Sequence, residues 1–177
     1  MRLPPATLHD LGPVNWLLCR VISRAAGTPE AHLFTTLGRQ RSLFRAWLRF
    51  AGAMMLRGSI NRHETEIVIL RVAHLRRCDY EIDHHIRLGE RAGVNAALVQ
   101  RIFEGPSAEG LSERQRVLLA AVDDLVVHKD IHDETWAALR ARYSTAQIVE
   151  LCLLVGHYEL LATTIKALRI DRDFDAR

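Results

Sequence analysis

Alternation of apolar and polar residues with period two is missing from this 177-residue chain, as are the Gly-rich turns of hairpins, which argues against a β-rich fold. Cysteine is scarce. Cys19, Cys78 and Cys152 are three in number and widely spaced, so they cannot all pair within one chain and make no secreted disulfide framework. That usage predicts a reducing, cytoplasmic setting. Excess charge is also missing: 24 Lys and Arg against 21 Asp and Glu leave +3, with the signs interleaved, which is a solubility charge and not a nucleic-acid footprint. The opening MRLPPATLHDLG lacks the uninterrupted apolar stretch of a signal peptide. The most apolar stretch, Ile148 to Ile165, contains Glu150, His157 and Glu159 and reads as a buried helix, so no membrane partner is expected. With no dinucleotide fingerprint, phosphate loop or established metal motif, no cofactor and no metal are expected.

What is present is helical. At 49% hydrophobic and 25% charged residues, the composition fits one soluble domain with at most a short appendage. Thr28 before Pro29 reads as an N-cap with proline at the first helical position, and Asn61 with Glu64, Ser112 with Gln115 and Ser144 with Gln147 are capping-box starts. The pattern predicts helices at roughly 12–26, 29–38, 42–57, 62–75, 78–92, 95–104, 113–128, 133–142 and 145–168, an all-α single-domain bundle. The segment EGPSAEG, 104–110, breaks any helix at Pro106 and is the expected internal joint. Helices between 113 and 168 carry apolar residues on more than one face. That excess predicts burial against another copy in a closed homo-oligomer, a dimer, trimer or hexamer.

The chemistry concentrates in ETEIVILRVAHLRRCDYEIDHHIRLGERAG, which starts at Glu64: a buried helix, a short connection near Arg76 and Arg77, then an amphipathic helix beginning near Cys78. On the second helix Asp79, Asp83, Arg87, Glu90 and Arg91 share one side, and Ile82, Ile86, Leu88, Gly89 and Ala92 the other. Cys78, Glu81 and His85 fall with the apolar group on a single stripe, where a thiol, a carboxylate and an imidazole can converge below the surface. Burying them without partners would cost several kcal/mol. Glu66 on the preceding helix points away from the polar edge formed by Glu64, Arg71 and His74, which makes it a second inward carboxylate. A neighbouring acid would set the tautomer or charge of His85, which could then exchange a proton with Cys78 or a substrate. Cys78 at a helix start would have its thiolate favoured. Each residue also has a plain structural reading: core thiol, satisfied histidine, or Glu66 and Glu81 paired with Arg71 or Arg76. Zinc ligation by Cys78, Glu81 and His85 lacks the repeated Cys/His pairs of structural sites. His84 belongs to the polar flank, and His63 and His74 flank the buried helix as surface histidines. Cys19 and Cys152 read as inert core thiols.

The block EIVILRVAHLRRCDYEIDHHIRLGERAGV resembles the signature of the carboxymuconolactone decarboxylase family, in the all-helical alkylhydroperoxidase D-like superfamily. The likeness continues more loosely through LSERQRVLLAAVDDLV and STAQIVELCLLVGHYELLATTIKAL. It implies an N-terminal helical extension over 1–28, a family domain over 29–170 and a polar tail over 171–177, assembled as a homo-oligomer. In the peroxidase branch a Glu on the first helix precedes Cys-x-x-Cys and a His. By that resemblance Glu66, Cys78 and His85 occupy catalytic positions, and Glu81 stands where the second cysteine would be. One cysteine cannot close a CxxC disulfide. Two chemistries therefore fit Glu66, Cys78, Glu81 and His85: peroxide reduction by Cys78 with an external thiol reductant, or acid–base chemistry on a lactone or carbon acid. The alternative from another class is a non-catalytic helical oligomer whose polar cluster serves packing.

Overall fold

In the computed structural model, which describes residues 1–174, nine helices account for the described secondary structure and no strand occurs among those residues. They are α1 (Leu8–Ala26), α2 (His32–Leu37), α3 (Arg41–Arg57), α4 (Arg62–Leu75), α5 (Asp79–Arg91), α6 (Ala96–Glu104), α7 (Glu113–His128), α8 (Asp133–Arg140) and α9 (Thr145–Leu168). The all-α expectation is borne out, and the capping signals explain most of the starts. Asn61 accepts from Glu64 N, Asn95 from Leu98 N, and Ser112 closes a reciprocal box with Gln115.

Two local expectations are corrected. Thr28 caps no helix: its hydroxyl donates to the Glu30 carbonyl, and α2 starts later, after Ala31. At the other end, α1 starts earlier than position 12 because Thr7 and Asp10 form a capping box, and the chain passes through Gly12 at φ 70° before Pro13 resumes the helix. Only glycine adopts that conformation readily, so the kink falls there.

The chain divides into two compact units, one of Met1–Leu56 with the residues from Thr164 onward, the other of Arg57–Thr163. The segment 104–110 therefore lies inside the second unit and is not the joint. Neither 28/29 nor 170/171 coincides with a unit boundary, and the last three residues of the 171–177 tail lie outside the described residues.

In the first unit Leu11, Cys19 and Phe44 form a core joined by Phe34, Trp47 and their neighbours. Asn15 is buried there because it is satisfied: its amide donates to the Gly38 carbonyl at 2.9 Å and its oxygen accepts from Arg45 at 3.2 Å. Leu17 and Val21 of α1 and Phe50 and Leu56 of α3 remain exposed.

The second unit is built around α4, whose residues from Glu64 to Ala73 are all buried. It packs on α5, α6 and α7. Its supposed polar edge is covered. Glu64 accepts from Tyr143 Oη at 3.0 Å and pairs with Arg114, while Arg71 pairs with Asp123. The long apolar α9 has its polar side chains engaged, with Glu150 accepting from Ser59 N and Oγ, and Glu159 pairing with Arg76 and Lys129. It is long and apolar enough to cross a membrane by composition, yet half of its apolar window is buried within the fold.

Candidate active site

The turn between α4 and α5 places the site. Arg76 ends α4, Arg77 takes the left-handed conformation at φ 50°, and Cys78 N–H donates back to the Ala73 carbonyl at 2.9 Å. This closure starts α5 with Cys78 as its N-cap and lays α5 back against α4. The stripe Cys78, Glu81, His85, Gly89 is buried as the periodicity predicts. Gly89 allows the close approach: a Cβ there would lie 3.3 Å from Val94 Cβ and 3.7 Å from Glu66 Cβ. Ile86, expected on the buried side, is exposed instead, because the stripe facing α4 is centred on His85 and Ile86 is rotated a full residue away.

Glu66, Glu81 and His85 converge. His85 Nδ1 lies 2.7 Å from Glu66 Oε2, and its Nε2 lies 3.4 Å from Glu81 Oε2. Arg62, one turn before Glu66, forms an ion pair with Glu66 Oε1. Among the described residues neither Glu66 Oε1 nor Glu81 Oε1 has a hydrogen-bond partner. Burial by itself would lower the His85 pKa, but hydrogen bonds to Glu66 and Glu81 and their charges outweigh it and push it up to about 9. At neutral pH the ring is thus an imidazolium, a proton donor on both nitrogens, held between two carboxylates. Cys78 is buried on the same stripe, one turn ahead of Glu81.

Two residues of α9 complete the cluster and were not singled out from sequence. Tyr158 meets the His85 ring edge-on at 5.1 Å, and burial with the Glu81 and Glu66 charges raises its pKa well above 10, so it stays a neutral phenol. His157 stands edge-on to Tyr158 at 5.4 Å. Burial lowers its pKa, against the opposing pull of Glu81. Two adjacent polar rings inside an otherwise apolar helix were the available signal.

The remaining candidates are placed elsewhere. Arg71 pairs with Asp123 and Arg76 with Glu159. His84 is half-buried and stacks on Tyr80 at 4.8 Å. His63 Nδ1 bonds the Ala92 carbonyl at 3.0 Å and His74 stacks on Phe103 at 4.4 Å, so neither is a solvated surface histidine. Cys19 is a core thiol, its pKa pushed up to about 11 by burial and then Glu30. Cys152 corrects the expectation of a core thiol. It is exposed and lines a cavity of about 390 Å³ with Leu125, Ile131 and Trp136.

Residues 41–124 match the model of the Carboxymuconolactone decarboxylase family. The fold is similar to the alkylhydroperoxidase AhpD core of an uncharacterized peroxidase-related protein from Ralstonia eutropha JMP134 (TM-score 0.84, 17% identity, 97% of this chain and 91% of that one). It is similar also to an uncharacterized peroxidase-related protein from Silicibacter sp. TM1040 (TM-score 0.82, 16% identity, 97% and 90%). A third similar structure is the apo form of the debrominase Bmp8 (TM-score 0.79, 18% identity, 95% and 90%). No curated protein sequence matches the chain. The matched segment contains Glu66, Cys78, Glu81 and His85, the residues that carry the resemblance to that family, and the fold is AhpD-like.

Proposed function

We propose that this protein, a carboxymuconolactone decarboxylase family member in an AhpD-like fold, is a small-molecule enzyme in which His85 delivers a proton to a lactone or carbon acid bound beside Glu81. The observation that carries the reading is His85 held between Glu66 and Glu81, with Glu81 Oε1 left without a hydrogen bond among the described residues. A purely structural network would be selected to satisfy every buried atom, since each orphan costs about 1–3 kcal/mol. In this reading Glu66 orients His85, Glu81 takes or relays the substrate proton, and Tyr158 packs the ring in place. A single subunit leaves Val127, Trp136, Val149, Leu153 and Leu160 exposed, which supports a homo-oligomer, and the cysteine usage supports a cytoplasmic location.

The second reading, thiol-dependent peroxide reduction, is favoured by Cys78 at the N-cap of α5, where unpaired helix N–H groups stabilise a thiolate. There the thiolate sulfur attacks a peroxide oxygen, the O–O bond breaks, sulfur is oxidised to sulfenic acid and the departing alkoxide takes the His85 proton. An external thiol then reduces the sulfenic acid.

Assays on lactone acids and, with several thiol reductants, on organic hydroperoxides separate the two. In the acid–base reading His85→Ala loses about 10² to 10⁴ in turnover while Cys78→Ser retains most of it. Abolition by Cys78→Ser with a milder His85→Ala effect would replace that reading by the peroxidase one, in which Glu81→Cys should raise turnover with a dithiol.

A further inference from the structure

Away from the α4–α5 site, Asp124 and His128 on the last turns of α7 and His132 at the N-cap of α8 follow one another at intervals of four residues. The connection between the helices brings them together. Lys129 adopts the left-handed conformation at φ 62°, and this reversal returns His132 over the end of α7. The return is pinned by two contacts with Asp124: His132 N–H donates to Oδ2 at 3.1 Å, and His132 Nδ1 lies 2.7 Å from Oδ1. His128 closes the group, its ring 4.7 Å from that of His132 and edge-on to it. One ligand atom from each of the three side chains lies within 4.8 Å of the other two.

We propose that Asp124, His128 and His132 form a binding site for a borderline divalent transition metal of the zinc, nickel or cobalt class. Two imidazoles and one carboxylate are the donor set that such ions prefer, whereas magnesium and calcium favour oxygen-only shells. The geometry is close to what coordination requires. With metal–ligand bonds of about 2.0–2.2 Å, tetrahedral neighbours stand about 3.3 Å apart. Asp124 and His132 must therefore open by about half an ångström, and His128 must swing in by up to about 1.5 Å. The exposed imidazoles make that rearrangement through side-chain rotation, and solvent fills the fourth position.

The surroundings favour a cation. Asp130 and Asp133 flank the ligands in sequence, and Lys129, the basic residue of the connection, is turned away onto Glu159 at 2.8 Å. A clamp holding α8 to α7 needs only Asp124 and His132. The second imidazole, His128, makes only an edge-on ring contact with His132 and no hydrogen bond among the described residues, so its nitrogens remain available to an ion. Bound metal would staple the α7–α8 connection, whose residues Lys129, Asp130 and Ile131 also line the cavity beside Cys152.

The test uses the untagged full chain with zinc or cobalt ions alone, followed by isothermal titration and by the visible spectrum of bound cobalt. One ion per chain is expected, with a tetrahedral cobalt spectrum and a melting temperature raised by about 5 °C at saturation. His128→Ala, which removes no hydrogen bond described in the fold, should weaken binding at least tenfold and cancel the thermal shift. His132→Ala should do the same. Cys78→Ser and His85→Ala should bind as the parent does. Unchanged binding in His128→Ala, loss of binding in Cys78→Ser or His85→Ala, or no stoichiometric binding by the parent would overturn the proposal.

Discussion

Glu66 and Arg71 stand five positions apart on α4, both buried within the second unit, and their surroundings treat them in opposite ways. Arg71 is fully provided for: Nε and Nη2 donate to the two oxygens of Asp123 at 2.6 and 2.7 Å, and Nη1 donates to the Ile102 and Phe103 carbonyls at 2.9 and 2.8 Å. Gly105, at φ 109°, leaves the space the guanidinium fills, since a Cβ there would fall 2.7 Å from Arg71 Nη2. Around Glu66 the matching is less complete: Arg62 forms an ion pair with Oε1 and His85 Nδ1 meets Oε2, but Glu81 Oε1 is left without a hydrogen bond among the described residues. The first cluster joins α4 to α6 and α7. The second leaves a buried carboxylate oxygen incompletely bonded, which costs stability.

The largest effect should come from the satisfied cluster. Arg71→Ala strands Asp123 and two carbonyls, and a loss of about 3 kcal/mol or more is expected in urea unfolding. A loss under about 1 kcal/mol would remove the distinction between the clusters. Next in size is a pH effect at the other cluster. Because the folded-state pKa of His85 is raised to about 9, the stability this group contributes is fully present below its unfolded value near 6.5 and is lost as pH rises toward 9. The loss should be on the order of 2–3 kcal/mol, persist in Arg71→Ala, and vanish in His85→Ala. Unfolding curves at several pH values in all three proteins measure it, and an equal slope in His85→Ala would assign it to another group.

Smaller still is Glu81→Gln, which takes a buried charge out of an incompletely bonded site. Its stability should stay within about 1 kcal/mol of the parent, or rise, while turnover falls. Destabilisation as large as that of Arg71→Ala would make the cluster structural. The smallest expected change is Arg77→Gly, which relieves the left-handed conformation of a non-glycine residue between α4 and α5 and should add at most about 1 kcal/mol. A lower melting temperature would show that the Arg77 side chain matters more than its backbone.

The helices were legible because their signals are local: caps such as Asn61 and Ser112 and the 3.6-residue period act within a turn or two. The inward stripe of Cys78, Glu81 and His85, with Glu66 opposite, was legible for the same reason. What periodicity could not supply was the far side of each contact. It read Glu64 and Arg71 as a polar edge because a charged face looks solvated until Tyr143, Arg114 and Asp123 are brought to it from distant helices. Tyr158 and His157 escaped because α9 is apolar nearly all round, which leaves its inward face undefined. The Asp124, His128, His132 series was missed because His132 falls in the connection between the helices expected at 113–128 and 133–142, and periodicity does not say that Lys129 turns that connection back over α7. Pro29 misled for a related reason: proline in the first turn permits a helix without requiring one there.

The turn at Arg76 and Arg77 has a kinetic meaning as well. Glu66 and His85 are separated by only 19 positions, and the intervening chain is almost wholly helical hairpin, so bringing the two groups together closes a short loop at small entropic cost. Contacts of such short range form early on the folding timescale, before α9 has to find its place with Tyr158. The wider fold is shared at TM-scores of 0.79 to 0.84 with structures only 16–18% identical.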